Sequence, residues 1–455
     1  MNTATEKTKK YKSYPEYKDS GVDWLGDVPE HWEVRKLKYI SDVRPSNVDK
    51  KSIEGELPVK LCNYIDVYSN DLITSGINFM SATASQSQIK RFSLKHGDVL
   101  ITKDSEAWDD IAVPAYITEN LQGVLCGYHL AHISPNQKHI YGNYLFRAFS
   151  SFPIRDQFCV AANGITRFGL SKNSISSGLF LVPPLDEQQA IAEFLDRRTG
   201  EIDDLIAKKE QVIELLKEKR TAIISHAVTK GLNPDAKMKD SGIDWLGKIP
   251  EHWEVKKLKR LASIIDGDRG NEYPNESDLV DEGVPFLSSK NIVNNKFDFS
   301  DLRYINIEKF QKLRRGKMRE NDLVITVRGT IGSIGHFSQR GFKTAFINAQ
   351  MMILRTCENL EPKFLYYIAI GDYWCAQIDI CSYGTAQQQL SNEILANIFI
   401  ACPLLEEQCD IVTFLDRETS KIDVLIAKVT EAIEKLKEYR TALISAAVTG
   451  KIMIF

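Results

Sequence analysis

The sequence predicts an α+β protein in which two pseudo-twofold-related mixed α/β domains are separated by an antiparallel pair of long coiled-coil helices. Three observations predict this class. The second half of the chain repeats the first, each half ends in a proline-free heptad segment, and the regions between carry short strand-like runs split by turn residues. The composition agrees, since 43% of the 455 residues are hydrophobic and 26% are charged, as in ordinary globular proteins.

Composition and local motifs exclude several classes of protein, namely a mostly disordered chain, a collagen and a small disulfide scaffold. The net charge of −3 does not by itself indicate a polyanionic partner. The sequence contains no apolar run of about 18 residues, and its first residues lack the apolar core of a secretory signal. The eight cysteines have no paired zinc-type spacing, so we expect free thiols in a reducing cytoplasm and no bound metal.

An internal repeat defines the domain organisation. Residues 18–38 return as residues 239–259 with 17 identities in 21 pairs, and residues 181–230 return as residues 401–450 with 29 identities in 50 pairs. Between these two blocks the halves have diverged. Each half therefore has the order variable domain, then shared helical block. By analogy with symmetric dimers, two similar halves suggest a pseudo-twofold molecule.

The shared block predicts one long helix in each half. From Glu187 to about Thr229 the first copy lacks proline, and its apolar residues follow a 4-3 spacing that keeps one seam facing a partner helix. Two matched seams in one chain predict an antiparallel helix pair. The predicted seam residues are Ile202, Ile206, Ile213, Leu216, Ile223, Ile422, Ile426, Val429, Ile433, Leu436 and Leu443. Gly200 is a candidate break in the first helix, and Thr199 and Thr419 are candidate N-caps.

The length of this helix suggests a role. Between Ile202 and Ala227 it spans about 39 Å at 1.5 Å per residue, close to one turn of B-DNA at about 34 Å. The pair is therefore a candidate spacer that holds two binding domains one turn apart. The alternative is a helix pair that only fastens the domains together.

The variable regions, about 41–180 and 261–400, are predicted to be mixed α+β binding modules. Three β-branched or aromatic runs predict strands, and one apolar run predicts a helix; they are residues 99–102, 323–327 and 345–347, and residues 364–369. Acidic residues match or slightly outnumber basic ones in both regions, which argues against a simple polyanion binder.

A cluster of cations stands out in the second variable region. It comprises Lys309, Lys312, Arg314, Arg315, Lys317 and Arg319. Such a cluster can neutralise several phosphates, although a charge run is more usually a solvated face.

Two loops of the same region have compositions suited to reading bases. Residues 326–335 carry three glycines at three-residue spacing, which would let backbone approach a ligand and place Arg328 to reach a guanine edge. Residues 384–389 end in three glutamines, whose amides can pair with adenine N6 and N7. The alternative is turn glycines with surface amides. The candidate DNA-binding residues of the chain are Lys103, Asn163, Thr166, Arg167, Lys290, Asn291, Lys312, Arg314, Arg315, Arg328, Thr330, Gln387 and Gln388.

The sequence contains no convincing catalytic motif. The sequence lacks the Asn/Asp-Pro-Pro-aromatic motif of adenine methyltransferases and a Walker loop. His31 and His252 each lie between Glu and Trp in the repeated motif, which favours a structural role. Asp235 with Glu254 and Lys256 can be forced into a nuclease-like pattern, but so loose a pattern arises easily by chance. We therefore expect no catalytic or metal-binding residues.

Several motifs occur in the same order in both halves, and together they make essentially the whole chain resemble the specificity (S) subunit of type I restriction–modification systems. The motifs that carry the resemblance are Trp-Leu-Gly-Asp-Val-Pro-Glu-His-Trp at 24–32 and its repeat at 245–253, Pro-Pro-Leu-Asp-Glu-Gln at 183–188 and its counterpart at 403–408, and Lys-Arg-Thr-Ala-Ile-Ile at 219–224. The second copy departs from the Pro-Pro-Leu pattern at Leu404, which puts no functional residue in doubt.

The resemblance implies two target recognition domains, each reading one half of a bipartite asymmetric DNA site, and two conserved helical regions that set the gap. The implied bounds are a disordered tail at 1–13, target recognition domain 1 at 14–184, conserved helical region 1 at 185–232, target recognition domain 2 at 233–404 and conserved helical region 2 at 405–455. No chemistry and no cofactor are implied for this chain itself.

The resemblance also implies partners. They are double-stranded DNA, two methyltransferase (M) subunits that methylate adenine N6 with S-adenosylmethionine, and two restriction (R) subunits that use ATP and magnesium, all in the cytoplasm and without a membrane. Two alternatives stay open: a single-chain nuclease or methyltransferase with its own active site, and a scaffold protein without DNA function. Methylation by the chain alone would favour the first, and an absence of salt-dependent duplex binding would favour the second.

Overall fold

A computed structural model of the chain describes residues 11–338, 341–382 and 390–454, apart from the side chains of 379–382. The chain divides into two compact units. Unit 1 contains the described residues up to Lys209 and those from Glu431 onwards, and unit 2 contains the described residues between them. Each unit therefore holds one variable region and a portion of both shared helical blocks. The first ten residues of the predicted tail lie outside the described residues.

Unit 1 alternates short strands with short helices before it enters a long helix. Its strands are β1 (Tyr17–Asp19), β2 (Asp27–Pro29), β3 (Glu33–Lys36), β4 (Ser41–Pro45), β5 (Leu57–Cys62), β6 (Leu72–Ile73), β7 (Met80–Ala84), β8 (Val99–Thr102), β9 (Asp104–Ser105), β10 (Pro114–Ile117), β11 (Val124–Cys126), β12 (Leu130–Pro135), β13 (Phe168–Gly169) and β14 (Leu179–Val182). Its helices are α1 (Leu37–Ile40), α2 (Tyr64–Ser69), α3 (Gln86–Phe92), α4 (Gly142–Phe149), α5 (Phe152–Ala161), α6 (Lys172–Ser177) and the first part of α7 (Leu185–Lys230).

Unit 2 repeats this alternation. Its strands are β15 (Met238–Asp240), β16 (Lys248–Pro250), β17 (Glu254–Lys257), β18 (Ala262–Asp266), β19 (Leu279–Val280), β20 (Val284–Leu287), β21 (Ile292–Val293), β22 (Lys296–Phe297), β23 (Arg303–Ile305), β24 (Leu323–Thr326), β25 (Ile334–His336), β26 (Phe346–Ile347), β27 (Met351–Thr356) and β28 (Phe399–Cys402). Its helices are α8 (Ile307–Lys312), α9 (Pro362–Ala369), α10 (Asp372–Ser382), α11 (Asn392–Asn397) and the first part of α12 (Leu405–Val448).

The main sheets of the two units have corresponding strand orders. In unit 1 the order is β4-β12-β8-β10-β6, antiparallel except for the parallel β10 and β6 pair. In unit 2 it is β18-β27-β24-β25, antiparallel throughout. β8 and β24 are inner strands and all their residues are buried, which explains their unbroken apolar runs. The strands predicted at 99–102, 323–327 and 345–347 and the helix at 364–369 are confirmed.

The long helices pack antiparallel, as the repeat predicts. α7 and α12 run over 46 and 44 residues. In unit 1, Asp203 of α7 contacts Arg440 of α12 at 2.9 Å, and in unit 2, Arg220 of α7 contacts Asp423 of α12 at 3.1 Å. The partner numbers fall as the α7 numbers rise, so the helices run in opposite directions. All the predicted seam residues are buried or half-buried, whereas Leu215 on the outer face is 62% exposed.

The predictions for the start of the coiled coil are wrong. α7 continues through Gly200, and Thr199 and Thr419 lie inside their helices instead of capping them. The reason is visible in the second copy, where the buried Thr419 hydroxyl donates a hydrogen bond to the Leu415 carbonyl oxygen one turn earlier, at 2.7 Å. A hydroxyl satisfied in this way no longer competes with the helix.

A glutamate at the start of each long helix explains the repeated tryptophan motif. In unit 1 the buried Glu187 carboxylate accepts hydrogen bonds from the Tyr14 hydroxyl and from Trp32 Nε1, the latter at 3.0 Å, and lies 2.8 Å from His31 Nε2. In unit 2 Glu407 makes the equivalent histidine and tryptophan contacts at 2.8 and 3.1 Å. The repeated histidines are therefore engaged in structural contacts.

The adjacent glutamine ties the same helix start to the variable region. Gln188 accepts a hydrogen bond from the Tyr141 backbone N–H at 2.9 Å, and its amide nitrogen donates to the carbonyls of His139 and Pro183 at 2.9 and 2.8 Å. Gln408 makes the equivalent set in unit 2. Both glutamines are fully buried, so the repeated Glu-Gln pair joins each helix to its domain through satisfied polar contacts.

Candidate nucleic-acid interface

Hydrogen bonds at the end of β8 bring separate loops of unit 1 together. The Lys103 backbone N–H donates to the His129 carbonyl at 3.0 Å, and the Lys103 carbonyl accepts from the Leu170 N–H at 2.8 Å. β9 also pairs with β13, so the loop 163–169 is held beside the strand end. Three predicted DNA-binding residues are exposed on this loop, and they are Asn163, Thr166 and Arg167. The structure thus places them next to Lys103, as a shared site requires.

The Lys103 side chain itself faces the protein. Its ammonium lies 2.8 Å from Asp104 Oδ2 and 4.7 Å from the ring centre of Tyr128, and only 13% of the side chain is exposed. His129 Nδ1 contacts the same Asp104 oxygen at 2.9 Å. Lys103 therefore organises the loops in this structure, while the neighbouring Tyr128 is 47% exposed.

An aromatic surface that the sequence patterns did not predict lies at the same edge of unit 1. Tyr64 and Tyr68 of α2 stack with their ring centres 5.5 Å apart, and the Tyr68 hydroxyl donates to Asp110 at 2.7 Å. That hydrogen bond raises the pKa of Tyr68. Trp108, in the loop between β9 and β10, is 52% exposed. The available sequence signal was a tryptophan among polar and acidic residues, which is weak because single exposed apolar residues are normal on protein surfaces.

Unit 2 builds the same junction at the end of β24. The Val327 N–H donates to the Gln350 carbonyl at 2.8 Å, and the Val327 carbonyl accepts from the Leu390 N–H at 3.2 Å. These are the counterparts of the Lys103 contacts in unit 1. The predicted residues Gln387 and Gln388 lie outside the described residues. The described chain resumes at Leu390, directly beside the loop that carries the predicted arginine.

Equivalent positions in the two junctions carry opposite charges. Arg328 follows Val327 as Asp104 follows Lys103, and Arg328 and Thr330 are both exposed. The Thr326 hydroxyl donates to the Thr330 carbonyl and closes the loop. Gly329 has φ 78°, which a side chain would strain, so this glycine serves the turn.

The basic cluster of unit 2 is only partly exposed. The exposed cations of the cluster are Lys312, Arg314, Arg315 and Arg319, of which the first three are candidate DNA-binding residues. The Asp268 carboxylate holds the turn of Arg314 and Arg315, accepting their backbone N–H groups at 2.9 and 3.4 Å. Backbone N–H donors, first that of Gly270 and then those of the arginine turn, lower the pKa of Asp268. Lys309, by contrast, pairs with two carboxylates at 3.3 and 3.4 Å and is 13% exposed.

The basic cluster and the arginine loop adjoin one segment of unit 2. Arg269, next to Asp268, donates to the Ala349 carbonyl at 3.0 Å. Gln350, the next residue, receives the Val327 N–H. The structure therefore brings the predicted phosphate-contacting cations and the predicted base-reading arginine towards the same strand ends.

Two further candidate DNA-binding residues, Lys290 and Asn291, differ in their exposure to solvent. Asn291 is buried, with its side-chain oxygen accepting from the Ser288 N–H at 2.9 Å and its amide donating to the carbonyls of Asp298 and Asp301 at 3.3 and 3.0 Å. Its side chain thus holds a turn in this structure. Lys290 is exposed beside it.

The described residues provide no metal centre. Among residues 11–338, 341–378 and 390–454, no group of three or more His, Cys, Asp or Glu side chains is placed to hold a metal ion. Glu254 of the nuclease-like pattern pairs with Lys256 at 2.6 Å. No helix in the described part of the chain is both long enough and apolar enough to cross a membrane.

A cavity of about 550 Å³ lies in unit 2, and its lining does not include the junction residues Val327, Arg328 or Gln350. Burial lowers the pKa of His336 in its wall to about 4, so this imidazole is neutral at neutral pH. The charged groups around it pair with one another, as Lys363 does with Asp416 at 2.6 Å. Nothing in its lining selects a particular cofactor.

Comparison with known proteins places the chain in a family. The profile of the type I restriction modification DNA specificity domain matches residues 29–215 and again residues 250–435. A putative type I restriction enzyme MjaX specificity subunit of Methanocaldococcus jannaschii is 25% identical over 435 residues, covering 94% of this chain and 96% of that protein. The EcoBI specificity subunit of Escherichia coli is 27% identical over 305 residues, covering 64% of this chain and 62% of that protein.

Solved structures share the fold. A chain from a structure described as the basis of complex assembly and conformational transition of the type I R-M system has a TM-score of 0.70 at 17% identity, covering 92% of this chain and 98% of that one. The HsdS subunit from Thermoanaerobacter tengcongensis has a TM-score of 0.53 at 18% identity, covering 93% and 98%. Since the family profile matches most of the sequence, twice and in register with the repeat, the chain belongs to the specificity subunits of type I restriction–modification systems.

Proposed function

We propose that this chain reads a bipartite, asymmetric DNA site, with one half recognised by each unit and the gap set by α7 and α12. One observation carries the proposal. The two strand-end junctions have the same backbone framework but different side chains at equivalent positions, with Asp104 and His129 in unit 1 against Arg328 and Gln350 in unit 2. The exposed side chains also differ, with the Asn163 amide in unit 1 and the Arg328 guanidinium in unit 2, and these groups select different base edges in the major groove. Two such junctions support recognition of two different half-sites.

The remaining proposals concern the partners. The chain positions two M subunits, which supply S-adenosylmethionine and methylate adenine N6, and two R subunits, which use ATP and magnesium to cleave. A base that is methylated must leave the DNA stack to be reached. A subunit that fixes the position of its partners on the sequence therefore needs no catalytic residues of its own. We propose a cytoplasmic location for the complex.

The test is selection from random duplexes by the full chain purified with its M subunit. We expect enrichment of one bipartite motif and an affinity that falls steeply with salt, since phosphate contacts release counterions. Equal binding to all duplexes would contradict sequence recognition, and salt-independent or absent binding would favour a scaffold. Methylation by the chain without its M subunit would favour a self-contained enzyme.

Replacing Arg328 by alanine is expected to relax preference in one half-site only. A bidentate arginine–guanine contact discriminates by about 1–3 kcal/mol, or about 5- to 150-fold. Gln387→Ala should affect the same half-site. The measurement is competition between duplexes mutated in either half. Arg315→Ala is the control, since loss of a phosphate contact lowers affinity for all sequences and reduces the salt slope by about one. A uniform loss with Arg328→Ala would assign it to phosphate instead.

Lengthening both helices is expected to lengthen the preferred gap. Insertion of seven residues after Ile213 and after Ile433 keeps the seam in phase and adds about 10 Å to each helix. This corresponds to about three base pairs at 3.4 Å each. The check is binding to duplexes whose half-sites differ only in their separation. An unchanged gap in a folded variant would mean that the helices only fasten the domains together.

A further inference from the structure

The helix pair carries two reciprocal ion pairs in its seam. Asp203 faces Arg440 within unit 1, and Arg220 faces Asp423 within unit 2. Each helix contributes one aspartate and one arginine 17 residues apart, so the two pairs are equivalent under the repeat. The arginines occupy positions of a 4-3 seam that is otherwise mostly apolar. A charged residue at such a position lowers stability but specifies the register of the helices.

A third charged side chain, from the variable region of the same unit, contacts each ion pair. In unit 1, Arg440 Nη2 also donates to Asp71 Oδ2 at 2.8 Å. In unit 2, Asp423 Oδ2 accepts from Lys296 Nζ at 2.9 Å. We call the set of Asp71, Asp203 and Arg440 the first ion triad. The second ion triad is the set of Arg220, Lys296 and Asp423. The domain contributes a negative charge to the first triad and a positive charge to the second.

We propose that the ion triads position each recognition domain on the helix pair, and that the opposite signs of Asp71 and Lys296 make the two docking positions non-interchangeable. This inference rests on the proposed function, because the orientation of a domain on the helices would set where its half-site lies. The same Asp–Arg pair offers a carboxylate and a guanidinium, so the sign of the domain's charge decides which it contacts. In both units the residue contacted is on α12.

The side chains that the domains contribute to the triads are largely exposed to solvent, so we expect them to affect the orientation of each domain on the helices more than the stability of its fold. Asp71 and Lys296 are 58% and 63% exposed, and Arg440 is 25% exposed. An isolated exposed ion pair contributes little, whereas charges joined in a network contribute more. Loss of a triad should therefore leave the domain folded by its core and loosen its orientation.

The experiment compares the parent chain with the Asp71→Lys variant, each as the full chain in complex with its M subunits and on the motif that the parent complex recognises. The substitution places a lysine beside Arg440. We expect discrimination between the preferred gap and gaps one base pair longer or shorter to fall about fivefold, as an energetic change near the upper end for exposed pairs implies. Asp49→Lys, a charge reversal at an exposed residue of the same domain outside the triad, is the control and should leave discrimination within about twofold.

A triple variant tests whether pairing is the cause. Asp71→Lys with Asp203→Arg and Arg440→Asp rebuilds the first triad in the layout of the second, with the aspartate on α12 accepting from α7 and from the domain. We expect it to restore gap discrimination to within about twofold of the parent chain. If Asp71→Lys fails to fold, Asp71→Asn removes the charge without repulsion and should lower discrimination by about half as much on a logarithmic scale.

The proposal is overturned if Asp71→Lys keeps its gap discrimination, if it weakens binding equally at every gap, or if the folded triple variant does not recover. A parent complex without any sequence preference would instead refute the proposed function, so the two failures are distinguishable.

Discussion

Replacing Glu187 by alanine is expected to lower the free energy of unfolding of unit 1 by about 3–5 kcal/mol. The substitution leaves the Tyr14 hydroxyl and Trp32 Nε1 without their buried acceptor, and each unsatisfied buried group costs about 1–3 kcal/mol. It also removes the contact with His31. Urea unfolding combined with hydrogen exchange would measure the loss and assign it to unit 1.

Glu407→Ala is the comparison in unit 2, because it removes the equivalent histidine and tryptophan contacts. The Glu407 side chain is 31% exposed, compared with 5% for Glu187, so water can replace part of what is lost. We expect about half the effect. An equal or larger loss in unit 2 would show that the buried acceptor is not what stabilises the helix start.

Replacing Asp98 by asparagine is expected to cost unit 1 about 2–3 kcal/mol, because it removes a buried carboxylate that accepts several hydrogen bonds and leaves buried groups without their partner. Asp98 Oδ2 lies 2.8 Å from His132 Nε2, and its other oxygen accepts from the Ser134 hydroxyl at 2.8 Å. The Asp98 and His132 side chains are 8% and 1% exposed. The measurement is urea unfolding with exchange of the β8 and β12 amides. Asp49→Asn, at an exposed position, should change little.

The same carboxylate gives unit 1 a dependence on pH. Burial opposes ionisation of Asp98, but the hydrogen bonds from His132, Ser134 and the Lys95 backbone outweigh it and lower the pKa. A carboxylate with a lowered folded pKa contributes stability above its unfolded pKa, about 3.9, and loses it as the pH falls through the folded value. We therefore expect unit 1 to weaken below about pH 4 and this part of the slope to vanish in Asp98→Asn. Parallel curves for the two proteins would contradict the assignment.

The architecture could be predicted from the sequence because it rests on periodicity. A 3.5-residue spacing repeated in both halves specifies the helix seam, and unbroken apolar runs specify the inner strands β8 and β24. The ends of the helices were harder to predict. Thr199 and Thr419 have good capping propensity, but each lies inside a helix that continues to its tertiary contacts, and local propensity yields to such packing.

The candidate interface was less predictable because sheet pairing assembles it from distant segments. Which side chain faces outwards at a strand end depends on neighbours that the local sequence does not reveal. Lys103 is a candidate DNA-binding residue by sequence, yet Asp104 and Tyr128 engage it within the protein. Asn291 is another candidate, yet its amide holds a turn. Trp108 could not be predicted as part of this surface, because an isolated aromatic residue has no periodicity that indicates its place in the fold.

We propose above that the two units read different halves of one DNA site. The most direct test is genome-wide mapping of methylated adenine in cells that express this chain with its M subunit. We expect a single bipartite, asymmetric motif with a fixed gap, and we expect Arg328→Ala to alter one half of it and leave the other intact. A symmetric or contiguous motif, or methylation that does not depend on this chain, would contradict it.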